Sequence, residues 1–470
     1  MQDGYTKEVG GQEAVQVLVL NVHHNRSGRF NFTTQFPYYR EILYKPKVAN
    51  GTRRGRAVVL DMDMSAGDFL ALICLLKAPV EVVDLKVEGI LVSGNGWATA
   101  ATIDIIYDVL HMMGRDDVPV GLGNLTALGT PSLGCKYVKA IPQGSGGLVD
   151  SDTLYGLGRT LPRSPRSYAV ENSVRFGGAQ GNTDRPKLRQ ALATEVWESI
   201  SRAMQAGEKK LTVLTNGPLT NLANIIDGDK SAADVIQDVY IVGGQVIDGK
   251  NKTGNVFTVP SNKFAEFNMF LDPLAAKKVM ESNLRITLIP LSAQQKVSSF
   301  KRTLQNLKLP EMTPESIFAH RLLSLLYKLQ QKQPKLYRHM VKKIFLTGIP
   351  LVIFVSHPKA HLLFVPSFSL CCLLQEIFLG EVLGAVFLVE HSKLNPTVQT
   401  KKVTVLTGNV SLDGQITVDK SYGKLVNIVD EFDSEAYYKL LADLLLGYKQ
   451  QSAAIGSFDE QRKIWSTPPK

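Results

Sequence analysis

A regular alternation of short apolar runs and longer amphipathic stretches begins at Arg56. Val58-Val59-Leu60 reads as a buried strand, Ser65–Lys77 as a helix and Val83–Val92 as a second strand. Trp97–Met113 follows as a helix and Val118–Leu122 as a strand, before a loop-rich stretch from Gly123 to about Lys187. The alternation then resumes with helix Ala191–Ala206, strand Leu211–Thr215, helix Leu219–Ile226, strand Val239–Val242, helix Pro273–Glu281 and strand Ile286–Leu291. Continuously apolar strands, each followed by a helix, predict an α/β fold: a mostly parallel central sheet with helices on both faces and a Rossmann-like core. Residues 315–331 add an amphipathic helix. The tail from Lys401 offers smaller C-terminal strands near Val403–Leu406, Gln415–Val418 and Val426–Val429, then helix Ser434–Leu446. In such a sheet the ligand crevice lies beyond the carboxyl ends of the strands, so the polar residues there are the candidates for chemistry.

Three segments stand outside the alternation. Residues 1–55 lack sustained periodicity apart from Ala14–Val22 and read as a leader or linker, leaving 56–450 as the domain and 451–470 as a tail. Inside the domain, Val341–Gln375 carries two apolar runs, Ile344–Ser356 and Leu362–Leu374, interrupted by Pro350, Pro358 and Pro366. Each run is shorter than the roughly 20 residues of a spanning helix, and the prolines oppose joining them. The segment is expected to be an insertion foreign to the native domain. A valine codon begins GU and a glutamine codon can be CAG, so its edges fit an unspliced intron. Membrane attachment is not expected.

Composition narrows the partners. With 44% hydrophobic and 20% charged residues the chain is an ordinary globular protein, which excludes extended disorder. Its formal charge of +10 is dispersed in short runs such as Arg53-Arg54 and Lys401-Lys402, without aromatic platforms between them. No nucleic-acid partner is therefore predicted. The four cysteines show no metal-site spacing, and Cys74 lies in an apolar run where a buried thiol is expected. N-x-[S/T] acceptors at Asn25, Asn31, Asn50, Asn124, Asn251 and Asn409 favour the secretory route and an extracellular parent protein. Met1–Asn21 has no basic region followed by an apolar core, so the chain as written carries no signal peptide and is expected to be a fragment.

The densest chemistry lies in Asp61-Met62-Asp63-Met64-Ser65-Ala66-Gly67-Asp68, three carboxylates in one strand-to-helix turn. Ser65 with Asp68 three residues later forms a capping-box pattern, which by itself would account for Asp68. Three clustered Asp side chains repel one another unless a cation relieves them, and hard oxygen donors suit Ca²⁺ or Mg²⁺.

This turn resembles the D-x-D-P-G-x-D-D signature of the inosine-uridine preferring nucleoside hydrolases. Further blocks follow in order: Ser93-Gly94-Asn95 resembles a G-N turn, and Leu214 to Asn221 a P-T-G-P-L-T-N loop. Val242-Gly243-Gly244 resembles M-G-G, while Ala265-Glu266-Phe267-Asn268 with Asp272-Pro273-Leu274-Ala275-Ala276 resembles A-E-F-N…D-P-x-A-A. The resemblance extends to the second domain of plant secreted proteins that carry two such domains in tandem, and residues 1–55 then look like the end of the first. It implies Ca²⁺-assisted hydrolysis of the N-glycosidic bond of ribonucleosides, with a small nucleoside as partner and self-association left open. By position it implies Asp63 as base and metal ligand, with Asp68, the Asn216 carbonyl and Glu381 as further ligands and Asp61 as a supporting carboxylate. Asn95, Asn262, Glu266 and Asn268 would grip the ribose. For Glu266 and Asn268 the competing reading is a satisfied polar pair at a strand end.

Four positions depart from the family pattern. Gly67 replaces an Asp that bonds the ribose, Gln143 a frequent His, Gly380 a His that can protonate the leaving group, and Glu381 a ligand Asp. The chain is thus expected to be either an altered hydrolase or a non-catalytic domain that binds a ribose-containing ligand or supports a partner domain.

Overall fold

The computed structural model describes residues 56–78, 85–94, 103–128, 156–162, 164, 166, 190–249, 253–256, 259–297, 299–307, 313–332 and 379–446. Expectations about residues 1–55, Asn95, Gln143, Val341–Gln375 and 451–470 lie outside them.

The leading strand, β1 (Arg56–Met62), sends successive side chains to opposite faces of the sheet, as strand geometry dictates. Val58, Leu60 and Met62 enter one core cluster, Ala57 and Val59 the other. Each buried Val, Leu or Met among them contributes about 1.5–3 kcal/mol. Ten strands form one sheet in the order β3-β2-β1-β4-β5-β7-β10-β8-β9-β6. They are β2 (Leu85–Val92), β3 (Val120–Leu122), β4 (Leu211–Thr215), β5 (Ile236–Val242), β6 (Val246–Ile247), β7 (Ile286–Ile289), β8 (Thr397–Val405), β9 (Ile416–Val418) and β10 (Lys424–Glu431). From β3 to β10 every neighbouring pair is parallel; β8 runs antiparallel to both β10 and β9.

The helices in chain order are α1 (Ala66–Lys77), α2 (Ile103–Met112), α3 (Ala193–Ala206), α4 (Thr220–Gly228), α5 (Ala232–Val235), α6 (Phe267–Leu271), α7 (Pro273–Glu281), α8 (Leu291–Gln294), α9 (Phe300–Asn306), α10 (Pro314–Lys332), α11 (Gly380–Leu394) and α12 (Ser434–Leu446). Residues of α1, α2, α10, α11 and α12 build the core on one face of the sheet, and residues of α3, α4 and α7 build it on the other. Every residue of α1 is buried, because α11, α12 and α10 close over the side turned away from the sheet. No helix among the described residues is long and apolar enough to cross a membrane.

The C-terminal strands join the central sheet. β10 pairs in parallel with β7 and so extends the main sheet, and β8 begins at Thr397 rather than Val403. The first half of β8 is polar and exposed, which is why hydrophobic pattern alone shortened it.

Strand order reverses direction between β1 and β4: the chain builds β1, β2, β3 outward and then returns to lay β4 on the other side of β1. The adjacent crossovers leave a crevice at the carboxyl end of these two strands. Asp61 and Thr215 are register partners there.

Candidate active site

β1 delivers Asp61 to the switch point fully buried, and strand alternation turns it toward α4. Its Oδ1 accepts from Asn221 Nδ2 at 2.9 Å and from the Ser93 hydroxyl at 3.2 Å. The Asp61 backbone carbonyl receives the Asn216 N–H at 2.8 Å, while the Met62 carbonyl receives that of Ser93. The three neighbouring strand ends are thus stitched together around one carboxylate. Burial pushes that carboxyl up to about 7, against the pull of the Asn221 and Ser93 bonds.

Beyond Met62 the chain turns through Met64, a buried residue in the left-handed region at φ 63°. A bulky side chain there is uncommon, and the conformation is held by the capping box that follows. Ser65 Oγ accepts the Asp68 N–H at 3.2 Å, and Asp68 Oδ2 accepts those of Asp63 and Ser65 at 3.0 and 3.1 Å. Asp68 Oδ1 accepts from Asn216 Nδ2 at 2.9 Å, which brings β4 to the same turn. Gly217 follows closely against Asp63: a Cβ at that position would lie 2.9 Å from the Asp63 Cβ. From the far side α11 brings Glu381 in its first turn, where the helix dipole favours an acid; its Oε1 accepts the Ser65 hydroxyl at 3.2 Å.

Asp61, Asp63 and Asp68 are buried here, and Glu381 is half-buried beside them. Burial, then the charge of Asp68, holds Asp63 well above the usual carboxylate range. Burial raises Asp68, and burial followed by the Asp68 charge pushes Glu381 up to about 8. Asp61 Oδ2, Asp63 Oδ1 and Asn216 Oδ1 are buried with no hydrogen-bond partner. Among the described residues no three His, Cys, Asp or Glu side chains are already gathered as a metal cage. The donor chemistry nevertheless fits a hard divalent cation. It is all oxygen, it includes orphaned buried acceptors, and its mutual repulsion is the kind a cation relieves.

The ribose-gripping expectations fare unevenly. Asn268, on α6, donates through Nδ2 to the Asn216 carbonyl at 2.7 Å and to the Val242 carbonyl at 3.4 Å. It therefore reaches the site, but as a brace on the carbonyl expected to face a metal. Glu266 caps α6: its carboxylate accepts the N–H groups of Asn268 and Met269, and also that of Gly244, which sits at φ 76°. Asn262 is engaged in the structure by protein partners. Its Nδ2 donates to the Val410 and Asp413 carbonyls, and its Oδ1 accepts from Ala265 N and Gln415 Nε2, so its side chain ties the 409–415 loop to the start of α6. Sequence reading gave no role to Ser93 or Asn221, although both stand inside the quoted blocks. Ser65 was read as a helix cap only, without its bond to Glu381.

Residues 58–439 match the sequence pattern of the family described as inosine-uridine preferring nucleoside hydrolase. The whole chain aligns at 49% identity with nucleoside hydrolase 3 of Arabidopsis thaliana and at 48% with nucleoside hydrolase 4 of the same plant. It spans about half the length of the former (52%) and 83% of the latter. Among solved structures, a plant nucleoside hydrolase superimposes with a TM-score of 0.56 at 18% identity, covering 83% of this chain and 99% of that one. An inosine-uridine preferring nucleoside hydrolase from Bacillus anthracis gives 0.54 at 17%, with the same coverage. At these identities the structural likeness speaks for the fold.

Proposed function

The chain belongs to the inosine-uridine preferring nucleoside hydrolase family, and on that premise we propose that its switch-point site hydrolyses the N-glycosidic bond of ribonucleosides to ribose and free base. The observation that carries this reading is the group of four carboxylates, buried Asp61, Asp63 and Asp68 with half-buried Glu381, assembled around Asn216. A divalent cation, Ca²⁺ by its tolerance of irregular oxygen shells, would be held by Asp63, Asp68, Glu381 and the Asn216 carbonyl, supplying charge neutralisation and orientation of the ribose diol.

Asp63 is the base. Its partnerless Oδ1 takes a proton from the water whose oxygen bonds to the anomeric carbon. As that bond forms, the carbon–nitrogen bond breaks and its electron pair leaves with the base, through an oxocarbenium-like state. Asp61 holds the ends of β1, β2 and β4 in place through Ser93 and Asn221. Glu266 fixes α6 against Gly244 and thereby aims Asn268, whose amide oxygen would meet a ribose hydroxyl.

A second reading, ligand binding without turnover, is favoured by Gly380. That buried position offers no side chain to protonate the departing base, and loss of a general acid costs about 10²–10⁴-fold. Ribose release from a panel of purine and pyrimidine nucleosides, with Ca²⁺ and with chelator, separates the two. Chelator-sensitive release supports the hydrolase, and saturable binding of every nucleoside without release supports the second reading. Passage through the secretory route is supported by the exposure of Asn124 and Asn409, both in N-x-[S/T] acceptors. A mass shift on glycosidase treatment of the native protein is the check.

A further inference from the structure

The first turns of α1 and α11 meet at Gly67 and Glu381. A Cβ on residue 67 would lie 2.2 Å from Glu381 Oε2, 2.7 Å from its Cδ and 3.2 Å from its Cβ, so no side chain at 67 coexists with Glu381 in this position. Gly67 is buried within α1, and its φ is not positive. The backbone therefore does not require glycine, and alanine would be the better helix former. What requires it is the neighbouring carboxylate. Glu381 in turn is tied by the Ser65 hydroxyl to the cap of the helix that carries Asp68.

We infer that Gly67 is a site-determining residue: its missing side chain admits the Glu381 carboxylate from α11 to the Asp63–Asp68 turn, so positions 67 and 381 act as one unit in setting cation affinity. The cation part rests on the reading proposed above; the packing of the pair does not. A consequence is that acid or alanine at 67 expels Glu381 unless position 381 is changed with it. The site thus has two exclusive ways of placing an acid at this point, from α1 or from α11, and this chain uses the second.

The test is a double-mutant cycle of wild type, Gly67→Ala, Glu381→Ala and both together. Each protein is titrated calorimetrically with CaCl₂ and melted without metal. Gly67→Ala should weaken Ca²⁺ binding at least ~10-fold in the wild-type background and leave it unchanged once Glu381 is alanine, because the ligand is lost either way. Its melting temperature should fall in the wild-type background and hold or rise in the Glu381→Ala background, where the helix gains and nothing is displaced. Equal effects of Gly67→Ala in both backgrounds would overturn the pairing. Coupled melting with Ca²⁺ affinity unaffected by Glu381→Ala would overturn the role of the pair at the site. A wild-type protein with no Ca²⁺ signal would defeat the cation reading itself, and the melting cycle would still decide whether 67 and 381 are coupled.

Discussion

Asp61 shows how one buried carboxylate links architecture to pH. Its folded value of about 7 lies above the ordinary 3.8, so the folded state binds its proton more tightly than the unfolded state. The corresponding stability is fully present below pH 4 and is lost as pH rises through about 7, by up to ~1.4 kcal/mol per pH unit. Asp63 and Glu381, also raised, carry the same sign. Thermal melts of metal-free protein should therefore show falling stability from about pH 4 to 8, and Ca²⁺ should raise the melting temperature far more at pH 8 than at pH 5. Asp61→Asn should flatten part of this slope. It keeps an acceptor for Asn221 and Ser93 while removing the titrating group. A slope unchanged in that variant would show that the titration belongs elsewhere. At this scale the sequence was legible wherever a side chain acts close to its own turn: Asp63, Asp68 and the Ser65 cap follow from spacing. Asn262 was not legible, because its partners Val410, Asp413 and Gln415 lie about 150 positions away.

Helix α1 is specified twice over, by the capping box at its start and by an unbroken apolar run, and its bounds follow directly from Ser65–Lys77. α7 is equally legible: Asp272 caps it and Pro273 opens it. α6 was missed because five residues give no helical period; only Glu266 as its cap marks the site. Ser65 joins element to site, holding the α1 cap with one bond and Glu381 with another. Ser65→Ala should therefore cost about 1 kcal/mol of unfolding free energy, the ordinary loss of a cap, and weaken Ca²⁺ binding as well. Urea unfolding and calorimetry measure the two separately. A stability loss with unaltered Ca²⁺ affinity would mean that Ser65 only caps.

For the molecule as a whole, alternation of strand and helix from Arg56 onward was enough to read a parallel sheet covered on both faces, and with it a crevice beyond the carboxyl ends of the strands; where strand order reverses is seen only in the structure. The joining of the C-terminal strands to that sheet was hidden, since β10 pairs with β7 across more than a hundred intervening positions. One buried contact ties the late helices to the first: Lys77 Nζ lies 2.7 Å from Glu315 Oε1 and donates to the Leu445 carbonyl at 3.1 Å. It connects α1, α10 and the last turn of α12, where the Ser316 hydroxyl donates to the same helix-end carbonyl. Glu315→Ala leaves a buried ammonium without its counter-charge and should cost about 3–5 kcal/mol, whereas replacing both residues by apolar ones should cost much less. Denaturant titration of the single and double variants measures the difference, and a mild single variant would show that Lys77 finds water.

On the proposed reading, Asp63 joins fold, charge and reaction. The most direct measurement is the rate of ribose release by wild type and Asp63→Asn on the same nucleoside at saturating Ca²⁺. Removing the base and one ligand charge together should lower the rate at least ~10²-fold, with the fold intact by circular dichroism. Wild-type turnover in the Asp63→Asn protein would contradict the assignment of this site.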